Sequence, residues 1–236
     1  MQEIELVGNE LDFRASEAFK SLRTNIEFSG NDMKVIGITS ATPNEGKSSV
    51  SFELALSFAQ QGKRTLLIDA DLRKSVMRTR LKSGRIKLGL MNYLVGQCKI
   101  EEALCTTDVP NFYTLFAGPV PPNPSELLGS PEFKRLIRSV REPFDVVIVD
   151  TPPIGSVIDA AVISKNCDGM VLVLESGAIN YRFAQHAKEQ LEAGNAHILG
   201  VVLNKVDISG KSFYGKYYGK YYGKYYGDYY GTGDKN

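Results

Sequence analysis

Residues Ala41 to Ser49 read "ATPNEGKSS", directly behind the apolar run "VIGITS" and ahead of "VSFELALSFAQQG". They fit the phosphate-cradling pattern GxxxxGK[ST], a P-loop, with Ala41 in place of the first glycine. Gly46 lets the backbone curl with its N–H groups inward, and the helix that follows adds positive potential at its N-terminus. Asn44, Glu45, Gly46, Lys47, Ser48 and Ser49 are therefore the expected nucleotide contacts. Lys47 should reach the β- and γ-phosphates, the Ser48 hydroxyl should ligate Mg²⁺, and Ser49 should hydrogen-bond the α-phosphate. An ordinary strand-to-helix turn is the competing account, and the placement between a buried strand and an amphipathic helix weighs against it.

Carboxylates supply the rest of the chemistry. "FDVVIVD" ends in Asp150 at the tip of an apolar run, where a carboxylate can hold Mg²⁺ through a water ligand. "LLIDADLR" places Asp69 and Asp71 one residue apart, so both can face the γ-phosphate if the chain is leaving extended geometry. Two neighbouring carboxylates are costly unless a metal or cation divides their labour. One then serves Mg²⁺, while the other accepts a proton from an incoming hydroxyl. An acidic loop start is the competing account, and Arg73 beside the pair weighs further against it.

These groups need strands to carry them. Val35–Ser40, Thr65–Ala70, Phe144–Asp150, Gly169–Glu175 and His197–Asn204 are short, apolar and rich in β-branched residues. Near-continuous apolar runs read as strands buried on both faces, as in a parallel sheet covered by helices. Helical patterns lie between them. Ser49–Gly62 sets Phe52, Leu56 and Ala59 along one stripe and closes on Gly62, and "EFKRLIRSVRE" and "INYRFAQHAKEQLEAG" have similar spacing. Alternating strand and helix predicts an α/β fold, a doubly wound, mostly parallel sheet flanked by helices. Such sheets bind ligands beyond the carboxyl ends of their strands.

Composition narrows the function. The 236 residues suit one mid-sized domain plus a tail, and a net charge of +1 does not mark the chain as a nucleic-acid binder. Nothing resembles a signal peptide, and no apolar stretch approaches the roughly 20 residues that span a bilayer, so a soluble, cytoplasmic protein without direct membrane insertion is expected. Cys98, Cys105 and Cys167 lack CxxC spacing and read as buried, reduced thiols. His197 reads as structural.

From Tyr214 the chain reads "YGKYYGKYYGKYYGDYYGTGDKN", which holds nine of its twelve tyrosines. Tyrosine pairs recurring every four residues with Gly and Lys give no helical or strand period, so a disordered, low-complexity tail is expected. Five Lys against two Asp from Lys211 onward make the tail +3 and, by difference, the body −2. Interleaved Tyr and Lys could also stack on bases without any chemistry.

"ATPNEGKS", "LLIDADLRK", "GPVPPNPSELL" (Gly118 to Leu128) and "VVIVDTPP", in this order ahead of a tyrosine cluster, resemble the bacterial tyrosine kinases. They closely resemble the capsular-polysaccharide tyrosine autokinases of Gram-positive bacteria, and the likeness covers nearly the whole chain. That resemblance implies an ATP- and Mg²⁺-dependent protein-tyrosine autokinase serving capsular or extracellular polysaccharide synthesis and export. Lys47, Asp69, Asp71 and Arg73 would be catalytic, with Asp69 the base and Arg73 steadying phosphate charge. Ser48, Asp71 and Asp150 would hold the metal, and Asn204 would lie near the adenine. The acceptors would be Tyr214, Tyr217, Tyr218, Tyr221, Tyr222, Tyr225, Tyr226, Tyr229 and Tyr230, phosphorylated in trans.

The resemblance also implies partners: a transmembrane activator that recruits the kinase to the inner face of the membrane, and a protein-tyrosine phosphatase. A homo-oligomeric ring, an octamer among the possible sizes, would assemble through the motif ExxRxxR. Here that motif is "EAFKSLR", with Glu17, Lys20 and Arg23 able to share a helix face and Lys20 where the family usually has Arg. Residues 1–206 would form the kinase domain, with an oligomerisation helix at 13–29 and the tail at 207–236. Ser75 stands where the family commonly has Pro.

Two other readings stay open. Thr42 occupies the place of the signature Lys of partitioning and cell-division-site ATPases, which argues against a sandwich dimer. "LNKVD" (Leu203 to Asp207) is similar to the guanine-recognising NKxD element, so a P-loop ATPase or GTPase switch with a disordered interaction tail competes with the kinase. A tail that grips nucleic acid or an acidic polymer, with nucleotide as a regulator, is the third possibility, and it predicts strongly salt-dependent binding.

Overall fold

A computed structural model of the chain describes residues 1–7, 11–30 and 32–207. In chain order its elements are β1 (Gln2–Leu6), α1 (Phe13–Phe28), β2 (Val35–Ser40), α2 (Lys47–Gln60), β3 (Thr65–Asp69), a 3₁₀ turn (Met77–Arg80) and β4 (Leu81–Gly84). Then come α3 (Leu90–Leu94), α4 (Ile100–Ala103), β5 (Cys105–Thr107), β6 (Phe112–Leu115), α5 (Pro124–Leu128), α6 (Pro131–Val140) and β7 (Val146–Asp150). The last are α7 (Asp159–Ser164), β8 (Gly169–Glu175), α8 (Tyr181–Ala193) and β9 (Ile198–Asn204).

One nine-stranded sheet runs β4-β1-β5-β6-β3-β7-β2-β8-β9. Only β1/β4 and β5/β6 are antiparallel, so the α/β, mostly parallel sheet is as predicted. β2 and β8 have the expected bounds, while β3 stops at Asp69 and β7 begins at Val146. Alternation along the central strands sends side chains to opposite faces, both of them covered. Leu67 and Ile148 join the α1 and α2 side with Phe52, Phe58 and Ile26. Leu66, Ile68, Val147 and Val149 join the side of α3 and α6 with Leu90, Phe133 and Leu136. Each fully buried large side chain contributes about 1.5–3 kcal/mol, so α2, with Phe52, Leu54 and Phe58 all buried, is firmly seated beneath the P-loop.

β9 differs from the expected strand. It forms the sheet edge, with Val201 58% and Leu203 41% exposed, because among the described residues nothing packs beyond it. Of the cysteines, Cys105 is buried and Cys98 and Cys167 are half-buried, all three as free thiols. His197 is exposed, its Nδ1 3.2 Å from the Asp168 carbonyl. Among the described residues no helix is long and apolar enough to cross a membrane.

Candidate active site

The site stands on three neighbouring parallel strands. β3 pairs with β7 so that Asp69 lies opposite Asp150, and β7 pairs with β2 so that Asp150 lies opposite Ile38, three residues before the phosphate loop begins at Ala41. The switch in strand order at β2 opens the crevice in which doubly wound sheets bind ligands. Asp69, Asp150 and the loop are thereby brought side by side.

Backbone geometry explains the loop's composition. Gly46 has φ 87°, and a Cβ there would sit 2.2 Å from Asn204 Nδ2, so only glycine fits. Asn44 is also left-handed, at φ 69°, a conformation asparagine tolerates better than most residues. The loop is pinned from the adjoining strand ends. Asn204 Nδ2 donates to the Glu45 carbonyl at 2.9 Å, and Lys205 Nζ donates to the Asn44 carbonyl at 2.7 Å while pairing with Glu175 at 2.7 Å. The Glu45 carboxylate, buried, accepts from Thr42 N at 2.7 Å and Glu175 N at 3.2 Å. Its side chain therefore fixes the loop's shape and leaves the loop backbone to face a ligand, a role the sequence pattern did not distinguish from ligand contact.

Lys47 sits at the centre. Its Nζ lies 3.2 Å from Asp71 Oδ2 and 3.4 Å from Asp150 Oδ2, and 3.0 Å from Ser48 Oγ. Burial works against its charge, yet Asp150 and Asp71 outweigh that and leave its pKa raised. Ser51 Oγ donates to Asp150 Oδ1 at 3.0 Å, a contact with no motif to announce it. Burial pushes the Asp150 carboxyl up, against the pull of Lys47.

Asp69 is held differently. Its Oδ2 accepts from the Ser75 hydroxyl and, at 3.4 Å, from Ala117 N, while Oδ1 accepts from Asp71 N at 3.3 Å. Burial first, and then the Asp150 charge, raise its pKa to about 7, although Ser75 and Lys47 pull the other way. A carboxyl poised there can hold or take a proton near neutral pH.

Arg73 faces elsewhere. Nε donates to Asp159 Oδ2 at 2.8 Å, and Nη2 donates to Asp159 Oδ1 at 3.1 Å and to Ser125 Oγ at 2.9 Å. Ser125 Oγ in turn donates to Asp159 Oδ1 at 2.6 Å. The fork joins the loop after Asp71 to α5 and α7, which gives "PNPSELL" a structural purpose invisible in the sequence. The hydroxyl of Ser49 accepts from Arg80 Nη2 at 2.9 Å.

On α1 the expected shared face divides. Glu17 and Lys20 pair at 2.7 Å in solvent, whereas Arg23 Nη1 turns onto α2 and donates to Ser57 O at 2.8 Å and Ser57 Oγ at 3.0 Å. The acceptor tyrosines from Tyr214 to Tyr230 lie outside the described residues.

The donor chemistry suits Mg²⁺. Two aspartates, Asp71 and Asp150, and the Ser48 hydroxyl present hard oxygen ligands around Lys47, which pairs with both carboxylates. Among the described residues no group of three or more His, Cys, Asp or Glu has metal-holding geometry. Mg²⁺ would thus complete its shell with phosphate oxygens and water, as it usually does.

Phosphate loop, paired carboxylates and parallel sheet together define a P-loop nucleotide-binding protein. The AAA domain family model matches residues 33–186. The chain is 46% identical over 222 residues to the tyrosine-protein kinase CpsD of Streptococcus agalactiae, spanning 92% of this chain and 96% of that relative. The crystal structure of the chimerical protein CapA2B2 superposes with TM-score 0.79 at 33% identity, over 87% of this chain and 93% of that one. The kinase domain of Escherichia coli tyrosine kinase ETK gives TM-score 0.78 at 35% identity, over 81% and 76%. The chain belongs to the bacterial tyrosine-protein kinases.

Proposed function

We propose that the protein is an ATP- and Mg²⁺-dependent autokinase that phosphorylates its C-terminal tyrosines in trans, in the service of capsular or extracellular polysaccharide synthesis and export. The observation that carries the reading is the division among the carboxylates: Asp71 and Asp150 share Lys47, while Asp69 stands apart with a carboxyl near neutrality. In this reading the phosphate loop and Lys47 bind and orient the ATP phosphates. Ser48, Asp71 and Asp150 hold Mg²⁺, which when bound neutralises charge on the β- and γ-phosphates. A tail phenol aligns with the γ-phosphorus, its oxygen forms the new P–O bond, its proton passes to Asp69, and ADP leaves.

The tail's composition supports delivery from a neighbour. The 26 residues from Lys211 reach on the order of 28 Å as a coil and about 86 Å extended. Each phosphate adds about −1.5 to −2 charges, so several reverse the tail's +3 and weaken its docking on an acidic body. Progressive phosphorylation would then dismantle the ring, and a phosphatase would restore it. The resemblance to capsular autokinases supports a transmembrane activator that recruits the protein to the inner face of the membrane.

The test is incubation with Mg·ATP, alone and with the activator's cytoplasmic peptide, followed by mass spectrometry of the tail, with Lys47→Met as the inactive control. Phosphotyrosine on the tail is expected. Nucleotide consumption with all nine terminal tyrosines unmodified would overturn the proposal in favour of a nucleotide switch. That second reading draws on Asn204 and Lys205, which both touch the phosphate loop, and a preference for GTP over ATP would select it.

A further inference from the structure

Arg80 ends the 3₁₀ turn and lies across the first two turns of α2. Its guanidinium carbon is 4.8 Å from the centre of the Phe52 ring, Nη1 is 3.6 Å from Glu53 Oε1, and Nη2 donates to Ser49 Oγ at 2.9 Å. The side chain is only 17% exposed. Its own carbonyl accepts from Val7 N at 2.7 Å, which anchors the turn to the strand edge at the end of β1. Aromatic stacking, a carboxylate and a backbone tie thus fix this cation in one place without a loop having to close.

The place is chemically pointed. A cleft of about 190 Å³ opens between α2 and the turn, with Ser48, Ser49, Met77, Thr79 and Arg80 among its walls. Ser48 and Ser49 close the phosphate-loop motif, and the hydroxyl at the second of these positions is the one expected at the α-phosphate. The 3.6 Å separation from Glu53 exceeds the roughly 2.7–2.9 Å of a charge-assisted hydrogen bond. Arginine presents five N–H donors in a rigid fork that suits phosphate. Glu53 and Ser49 each meet one edge of the guanidinium, and its five donors outnumber these two partners, which gives the fork capacity for an anion.

We propose that Arg80 is a nucleotide ligand, donating with Ser49 to the α-phosphate of a nucleoside di- or triphosphate that is bound on the phosphate loop and places that phosphate in this cleft. The inference rests on the nucleotide-binding reading of the phosphate loop and extends it to a residue outside every motif of the sequence. Because the α-phosphate is common to ATP and ADP, Arg80 strengthens the binding of both alike and does not select the triphosphate.

The experiment is calorimetric titration of the full chain with Mg·ATP and Mg·ADP, for the natural sequence, Arg80→Ala and Arg80→Gln, with thermal melts of each protein free of nucleotide. The expected result is a loss of affinity of about tenfold or more, equal for the two nucleotides, in variants whose melting without nucleotide is preserved. Arg80→Gln keeps much of the stem on Phe52 and decides the matter if Arg80→Ala does not fold. Binding of both nucleotides within twofold of the natural protein overturns the inference while leaving the phosphate loop's role intact. Weakening of ATP alone also overturns it, since that would place Arg80 at the γ-phosphate. A natural protein that binds neither nucleotide removes the underlying reading as well.

Discussion

Asp69 and Asp150 are register partners at the carboxyl ends of β3 and β7, each about 1% exposed. Two carboxylates so placed cannot both ionise cheaply, and Lys47 lies within 3.4 Å of Asp150 but makes no such pair with Asp69. The site is asymmetric for that reason. Asp69→Asn keeps the shape of the group and its contact with Ser75 while removing the proton acceptor. The variant should bind Mg·ATP within about threefold of the natural protein and transfer phosphate about 100- to 10,000-fold more slowly. Titration calorimetry and initial rates of phosphotyrosine formation check this. Transfer above a tenth of the natural rate would remove Asp69 as the base.

The candidate site residues were legible because each sits in a local pattern: Gly46, Lys47 and Ser48 in the loop, and Asp69, Asp71 and Asp150 at or just beyond the tips of apolar strands. β2, β3, β7 and β8 were legible for the same reason, being buried on both faces. β1, β4, β5 and β6 were not. "CTT" and "LKSG" are short and polar, and they become strands only because a neighbour pairs with them. Contacts across long sequence separations were equally hidden, since nothing local to Arg73 points to Asp159, or to Glu45 bonding the backbone of Glu175. β9 misled through composition: its apolar run has the signature of a central strand, and position at the sheet edge is set by topology alone.

The split of the α1 motif separates assembly from stability. Glu17 and Lys20 are half-exposed and pair with each other, which is worth about 0–1 kcal/mol. Arg23 is bonded to Ser57 on α2 of the same chain. Arg23→Ala should therefore lower the melting temperature of the isolated protomer, by about 1–3 kcal/mol of stability, whereas Glu17→Ala and Lys20→Ala should leave it unchanged. If the ring forms through this motif, those two changes should still shrink the assembly, and Lys20→Arg should strengthen it by restoring the planar fork. Thermal melts at low concentration and light scattering at high concentration read the two effects apart. An Arg23→Ala protomer as stable as the natural one would show that the contact with Ser57 contributes nothing.

Asp168 gives the clearest dependence on pH. Burial alone would raise its pKa, but Arg141, at 3.0 and 2.7 Å, and the N–H groups of Val35 and Lys34 hold the carboxyl below its ordinary value. A depressed folded pKa means stability that is fully present above the unfolded value near 4 and is lost as pH falls through the folded one. Asp168→Asn should cost about 1–2 kcal/mol at pH 7, a figure reduced for the part-exposed Arg141. The deficit should shrink steadily below about pH 4, as the natural carboxyl is itself protonated. Melting curves of both proteins from pH 7 to pH 3 test this, and a deficit that does not vary with pH would contradict the assignment.

Arg73 and the buried Asp159 meet through two hydrogen bonds, with Ser125 completing the cluster. Asp159 is fully buried at the first turn of α7, so its carboxylate depends on that fork. Held this way, Arg73 is expected to affect transfer by fixing the loop that follows Asp69 and Asp71, with its charge matched by Asp159. A lysine would keep the charge and lose the two-pronged geometry. Arg73→Lys should therefore lose nearly as much kcat as Arg73→Ala, about tenfold or more, and Asp159→Asn should follow it, with KM for ATP changing little. An arginine that instead steadied phosphate charge directly would be largely replaced by lysine and would be indifferent to Asp159. Steady-state rates for the three variants decide between these outcomes, because positioning makes Arg73 and Asp159 fail together, whereas direct contact makes Arg73→Ala fail alone.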